Sequence, residues 1–331
     1  MVINGQMDLI WLDAGMREQG ILECAVFDGE VGQDNDFTLT VPKKYYAGLK
    51  DGYVYPRGAV EFGGKIVSCI SRSDDGFVTF SGKTWFGMVG LQSARAFQWS
   101  SGHGNSLNVF LQNVFACVYG KIVPSTSYVM ESTPTIPKED GKPFRYLDIL
   151  TSLFEQAGKL PVLSAQYSAA GVMSIKCETR DPLEYDQSDY TSDTVPVEVE
   201  KQFVLVKHIT IYKASNPSTV PKTATMNADG TWTVTSGDSP VSKNGFTERY
   251  IAIPVDDETF ANPDWDAIIE SVQVKDAATI QNAYTLNPDV GDTVTGKDET
   301  TGITATAKVT SKSLHISDGV PIFTFDTAQG V

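Results

Sequence analysis

Histidine and cysteine are the side chains most often put to chemical work near neutral pH, and this sequence has three of the first and four of the second. His103 lies in Ser100-Ser101-Gly102-His103-Gly104-Asn105-Ser106, a flexible run that would place serine hydroxyls beside an imidazole base. No Gly-x-Ser-x-Gly elbow accompanies it, so nothing in the pattern would sharpen such a nucleophile. His208 and His315 fall in apolar, β-branched contexts, where a packed or surface histidine is the simpler expectation. The three show no His-Glu-x-x-His or related ligand spacing. Cys24, Cys69, Cys117 and Cys177 lie far apart without a Cys-x-x-Cys pair, which removes zinc knuckles and redox motifs and leaves buried apolar thiols as the expectation.

Other chemistries fare no better. Asp186, Asp189 and Asp193 have oxygen ligands for a calcium ion, but they sit in a polar run that is more simply an acidic linker. Asp34-Asn35-Asp36 is expected as a turn. Gly102-His103-Gly104 and Gly87-Met88-Val89-Gly90 lack the third glycine and the strand-turn-helix setting of a dinucleotide site. No Gly-x-x-x-x-Gly-Lys-[Ser/Thr] loop occurs, and no carboxylate pair stands out for glycoside hydrolysis. Trp11, Trp85 and Trp99 are expected in cores or interfaces, while Trp232 and Trp265 are free to meet a partner. No catalytic, cofactor-binding or metal-ligating residue is assigned, and no enzymatic activity is expected.

Composition narrows the partners. The 331 residues carry 41 acidic and 26 basic side chains, a net charge of −15, with the acids spread along the chain. Such a surface repels phosphates, and no lysine and arginine cluster with interleaved aromatics offsets it, so direct reading of nucleic acid is not expected. No apolar stretch is long enough to span a membrane as a helix. The segment Met1-Val2-Ile3-Asn4-Gly5-Gln6-Met7-Asp8 lacks the basic head and apolar run of a signal peptide, so synthesis and folding in a reducing cytoplasm are expected.

The elements behind these residues read mostly as strands. Asp8–Leu12, Gly20–Val26, Phe37–Val41, Tyr53–Tyr55, Lys65–Ile70 and Phe77–Gly82 are short apolar or alternating runs, with the hairpin signal Asp74-Asp75-Gly76 before the last. The period changes in the middle. Asn108 to Cys117 suits a short helix, and Tyr146 to Ala157 puts Leu147, Leu150, Leu153, Phe154 and Ala157 on one face before Gly158. Strands follow at Pro161–Leu163 and Gly171–Cys177, and then the linker Asp186–Asp193. Gln202–Val206 and His208–Tyr212 resume the β pattern. Residues 216–241 are rich in Ser, Thr, Pro and Gly and are expected as an elaborated loop with one hairpin at Asp229-Gly230. Asp264 to Lys275 is a helix or mixed segment, and the chain from Gly291 is strand-rich.

A weak echo links the two β segments. Residues 51–80 and 291–325 both run turn, strand, glycine corner, long strand, Asp-Gly turn, and a closing Thr-Phe strand. Either the chain carries two copies of one module, or two unrelated meanders look alike.

The same residues carry a resemblance. Tyr53-Val54-Tyr55, Glu61 to Val67, and Phe80-Ser81-Gly82-Lys83-Thr84-Trp85-Phe86-Gly87 resemble the N-terminal barrel of siphophage tail-tip hub proteins, which are relatives of contractile-baseplate hubs and of the N-terminal module of tail-associated lysins. Lys83 stands where that family has arginine. Phe144-Arg145-Tyr146 with Gly158-Lys159-Leu160 is similar to its helix-bearing insert, and Val290 to Val294 with Thr301-Gly302-Ile303 and Val309-Thr310 to its closing barrel. The chain departs at Lys213 to Val241, and the lytic or fibre-like extension of longer relatives is not expected.

The resemblance implies a mainly β (α+β) protein. It would have a tube-like barrel over 1–95, a small helix-containing α/β insert over 96–190, and a second barrel over 191–331 elaborated at 213–270. It also implies a structural hub of a phage or phage-like tail tip, made in the host bacterial cytoplasm, with no cofactor. The hub would form a homotrimeric ring that contacts tail-tube and tip neighbours, closes the tube, adapts its symmetry, and lets DNA pass unbound. The alternative is a carbohydrate- or receptor-binding module with the Trp232 segment as its face.

Overall fold

The computed structural model describes residues 6–99, 104–139, 141–186, 197–200, 205–237, 248–272, 277–280, 287–298 and 300–328. His103, Asp189 and Asp193 lie outside the described residues.

Residues 1–197 with 280–330 form one compact unit, and 198–279 a second. The first unit begins with β1 (Leu9–Leu12), β2 (Glu18–Ile21), β3 (Val26–Val31) and β4 (Asp36–Pro42), followed by a one-turn helix α1 (Tyr46–Leu49). Then come β5 (Tyr53–Pro56), β6 (Gly64–Ser71), β7 (Phe77–Thr84), α2 (Trp85–Gly90) and β8 (Ser93–Ala94). The helical insert follows as α3 (Leu107–Phe115), β9 (Ile122–Pro124), β10 (Phe144–Arg145), α4 (Tyr146–Ala157), β11 (Leu160–Tyr167) and β12 (Met173–Arg180), with the short β13 (Glu184–Tyr185) after it. Next are β14 (Val197–Glu200), β15 (Leu205–Lys213), β16 (Lys222–Met226), β17 (Trp232–Ser236), β18 (Glu248–Val255), α5 (Asp257–Ala261), α6 (Trp265–Val272) and β19 (Ala277–Ile280). The chain ends with β20 (Thr293–Lys297), β21 (Thr304–Ser317) and β22 (Val320–Thr327).

Local sequence explains the main boundaries. α4 starts at Tyr146, buries Ile149, Leu150, Leu153, Phe154 and Ala157, and stops at Gly158, whose φ of 60° suits a residue without Cβ. α2 is capped by Thr84, whose hydroxyl accepts from Gly87 N at 3.2 Å. Two glycines of that motif are fixed by space. A Cβ on Gly82 would stand 2.0 Å from the Phe37 ring, and one on Gly87 would stand 2.0 Å from Asn35 O.

The protein is mainly β, 46% strand and 19% helix. Eleven strands of the first unit form one sheet in the order β13-β20-β21-β3-β4-β7-β6-β5-β1-β2, with β22 paired to β21. Among the described residues no sheet closes into a barrel. The segments 51–80 and 291–325 are each a three-stranded antiparallel meander, β5-β6-β7 and β20-β21-β22. They use their middle strands differently. β21 gives Thr304–Lys308 to β20 and Val309–Ser317 to β22, whereas β7 covers almost all of β6 and β5 only Gly64 and Lys65.

In place of a closed first barrel, the strands within 9–84 share one sheet with β20, β21 and β22, while β15 to β18 of the expected second barrel form a separate sheet. Lys312–Ser317 of β21 pairs antiparallel with Val26–Val31 of β3, so the two ends of the chain share one core. That core holds Phe27, Phe37, Leu39, Phe62, Phe80, Leu314 and Ile316. A second cluster packs Trp85, Phe110, Phe115 and Leu153 from α2, α3 and α4. Full burial of each such side chain is worth roughly 1.5–3 kcal/mol.

The second unit contains a four-stranded sheet, β17-β16-β15-β18, in which β15 and β18 are parallel. The segment expected as an elaborated loop is here the β16–β17 hairpin, turning at Gly230 with φ 83° as its Asp-Gly signal required. Thr223 and Thr225 on β16 pair with Thr235 and Thr233 on β17, which the Ser/Thr-rich composition disguised.

Candidate functional site

Of the residues with chemical potential, His208 stacks on Tyr250 with ring centroids 4.3 Å apart and shares a 3.2 Å contact with the Thr225 hydroxyl, so it packs as expected. Trp85 is buried and donates to Val60 O at 2.7 Å, and Trp99 donates to Pro134 O at 2.8 Å. Trp232 and Trp265 are half-buried. The turn at Asp34-Asn35-Asp36 is as expected, with Asn35 at φ 53° and its side chain bonded to Gly32. The cysteines need correction. Cys177 is buried and Cys117 half-buried, but Cys24 and Cys69 are exposed, one in a left-handed turn and one where β6 has lost its β5 neighbour. Among the described residues no group of three or more His, Cys, Asp or Glu is placed to hold a metal ion, and no helix is long and apolar enough to cross a membrane.

His315 leads instead to a surface. Its Nδ1 lies 2.6 Å from Asp28 Oδ1 on the solvent side of the sheet. Strict alternation along β3, β4 and β7 sends Phe27, Phe37, Leu39 and Phe80 to the core, and the residues between them outward. Register then aligns those outward residues in rows across β6, β7, β4, β3, β21 and β22. The middle row is Ser68, Ser81, Thr38, Asp28, His315 and Ile322. On one side Lys65, Lys83 and Asp36 align on β6, β7 and β4, and Glu30, Ser313 and Thr324 on β3, β21 and β22. On the other side lie Ile70, Thr79, Thr40, Val26, Ser317 and Val320.

The face is therefore hydroxyl-rich and weakly charged. Thr40 and Thr79 hydroxyls are 2.9 Å apart, and Lys83 Nζ meets Asp36 Oδ2 at 3.2 Å. Its apolar residues gather toward one end and both flanks, where Ile70 is 68% exposed and Val320 52%. At the flanks the sheet has open edges. From Val67 onward β6 pairs only with β7, and β22 pairs only with β21, among the described residues. Five antiparallel steps separate β6 from β22, so these two edges run in opposite directions.

A buried ionic joint holds this sheet to the insert. Arg180, at the end of β12, donates to both carboxylate oxygens of Asp292 and to Asp289 Oδ2 at 2.9 Å. Asp292 is fully buried and also accepts from Leu183 N and Asp289 N, both at 2.8 Å. Lys312 of β21, 3% exposed, donates to Asp289 at 2.8 Å and stands 3.8 Å from Glu61. Burial pushes the Asp289 carboxyl up, but Lys312 and Arg180 outweigh it and hold the group below the usual carboxylate range. Burial raises the Glu61 carboxyl, with Lys312 opposing. Hydrogen bonds that Arg180 donates to Asp292 and Asp289, against burial, keep its guanidinium firmly charged. Sequence inspection missed this joint because its members are far apart in the chain and carry no motif.

The fold and surface define a mainly β protein whose elements present a polar face with two edges that are free among the described residues. No family model matches the sequence, and no curated protein matches it. Among solved structures the chain is similar to the prophage tail protein gp18 from Listeria monocytogenes EGD-e, at 12% identity and TM-score 0.48, over 97% of this chain and 95% of that one. It is similar to the tail protein from Neisseria meningitidis MC58, at 14% identity and TM-score 0.45, over 98% and 97% of the two chains. It is also similar to the 43 kDa tail protein of prophage MuSo2 from Shewanella oneidensis, at 13% identity and TM-score 0.42, over 97% and 98%. All three of those structures are of tail proteins.

Proposed function

We propose that this chain is a non-enzymatic structural hub of a phage or phage-like tail tip. In this reading copies join through their sheets into a ring, and the hydroxyl-rich face lines a passage for DNA. One observation carries the proposal: a sheet with one face in the core, one polar face, and two open edges of opposite direction. Free edges are a liability that most soluble proteins suppress with charge or covering elements. Here the strands at both edges expose Ile70, Val67, Val320 and Ile322. Rotation about an axis along the strands brings β22 of one copy beside β6 of the next in antiparallel pairing, a heterologous contact that closes when the rotation closes.

Three copies are the count that the resemblance implies, and the paired meanders β5-β6-β7 and β20-β21-β22 would give that ring its pseudo-sixfold character. The tube, which no sheet closes among the described residues of one chain, then forms across copies. The polar face suits a conduit because serine and threonine hydroxyls with few cations offer DNA no row of counterion-releasing contacts. Assembly would place the protein at the virion tail tip, against tail-tube and tip neighbours, after synthesis in the host cytoplasm.

The test is solution mass by light scattering together with negative-stain images over a range of concentrations. Rings of three subunits with a central hole support the reading. A chain that stays monomeric at the highest concentrations and binds specific sugars on a glycan array would replace it with the receptor-binding alternative.

A further inference from the structure

Tyr53 of β5 stands where two lysines meet. Lys65, its partner across β6, holds Nζ 4.6 Å from the ring centroid, and Lys121, in the turn before β9, holds its Nζ 5.7 Å from the same centroid. Trp85 stacks on the ring at 6.0 Å and 17°. Each ammonium gains from the aromatic face, but the two repel each other. Burial lowers the Lys65 pKa, Asp51 partly opposes this, and Lys121 lowers it further.

Neither ammonium has a carboxylate within ion-pair distance among the described residues, and Lys65 donates only to the backbone oxygen of Asp51. Tyr53 is 6% exposed, and its hydroxyl has no hydrogen-bond partner among the described residues. Native structures seldom leave a buried hydroxyl so, because an unmade bond there is costly. Two cations against one ring that carries an orphan donor are what an oxyanion would satisfy.

The turn that carries Lys121 also carries Tyr119, 91% exposed and held in the left-handed region at φ 52°. We propose that Lys65, Lys121 and Tyr53 form a binding site for a carboxylate borne on a neighbouring polypeptide, with Tyr119 presented to the incoming chain. A polypeptide fits better than DNA. Nucleic acid needs a track of cations, whereas this is an isolated pair beside Asp51 on a chain of net charge −15. Acidic neighbours, including further copies of this chain, supply the complementary group. Lys65 lies on the part of β6 that β5 covers, whereas the proposed ring contact uses β6 from Val67 onward and β22, so the site can fail without the ring failing.

The experiment follows thermal unfolding of the whole chain with inorganic phosphate or hexaglutamate, with ionic strength matched by sodium chloride. At about ten times the dissociation constant either probe raises the melting temperature by roughly 2–4 °C. The rise disappears in Lys121→Met and Lys65→Met and persists in Lys44→Met, a lysine that already has Glu23 as partner. Tyr53→Phe keeps the ring, melts no lower than wild type without probe, and loses at least about half of the probe-induced rise. No rise in wild type, or an equal rise in the two lysine variants, overturns the site. A larger rise with duplex DNA that vanishes in the same variants overturns the polypeptide assignment.

Discussion

Arg180 and Asp292 make two parallel charge-assisted bonds, 2.8 and 2.7 Å long, between the end of the insert's last long strand and the turn that opens the C-terminal meander. Asp292 is fully buried while Arg180 keeps an edge near solvent, so the pair resembles a plug seated from the outside. Asp289 and Lys312 extend it to β21, and Lys312 reaches Glu61 beside β6. One cluster thus ties three distant stretches of chain to the sheet that carries the polar face.

Removing one partner of such a pair leaves an uncompensated buried charge. Arg180→Met is expected to cost roughly 3–5 kcal/mol of stability, measured by urea unfolding. Pairing it with Asp292→Asn should recover part of that loss, because the neutral amide needs no counter-charge. A loss under about 1 kcal/mol for the single variant would place the pair among inert surface bridges.

The same cluster contributes two pH dependences of opposite sign. Asp289 has its folded value below the ordinary 3.8, so its contribution is present above 3.8 and is lost as the pH falls through the lower folded value. Glu61 has its folded value raised above 4.5, so its contribution is present below 4.5 and is lost as the pH rises through the raised value. Melting temperatures between about pH 2 and pH 7 should show Asp289→Asn removing part of the acid-side decline, and Glu61→Gln removing part of the fall on the other side. Parallel curves for wild type and both variants would contradict this.

Thiol reactivity should divide the cysteines. Burial pushes Cys117 up to about 11 and Cys177 up to about 12, and thiols react as thiolates. Cys24 and Cys69 are exposed. In native protein near pH 8 these two should label rapidly with a maleimide, Cys117 slowly, and Cys177 only after denaturation. Mass spectrometry of the labelled peptides decides it, and rapid native labelling at Cys177 would contradict the packing of β12.

How much of this was legible beforehand varied with the range of the interactions. The helix from Tyr146 to Gly158 and the alternation of Phe37-Thr38-Leu39 are local patterns, and both are where the periodicity put them. The exposure of Cys69 was not legible, because it depends on β5 ending its pairing at Lys65. Nor was the single sheet, since the β3–β21 ladder joins residues such as Asp28 and His315 that are nearly the whole chain apart. The polar face itself was half visible. Each outward Thr or Ser could be placed strand by strand, but only the register aligns them into rows.

If that face lines a conduit, duplex DNA should not bind the isolated chain at about 0.15 M salt. Fluorescence anisotropy with a labelled duplex checks this. A micromolar affinity that weakens steeply with added salt would reveal cationic contacts incompatible with free passage.

The ring is tested most directly by joining its proposed edges. Ile70 and Ile322 lie on one face at opposite flanks, five strand spacings or about 24 Å apart within a copy, too far for a disulfide inside one chain. In a protein with Cys24 and Cys69 replaced by serine, Ile70→Cys and Ile322→Cys are introduced together and oxidised at high protein concentration. The β22-to-β6 contact predicts covalent dimers and trimers, the series ending at a closed trimer, with neither single variant passing beyond a dimer. A doubly substituted chain that remains monomeric under oxidation, while wild-type rings are visible by electron microscopy, would show that the edges do not meet.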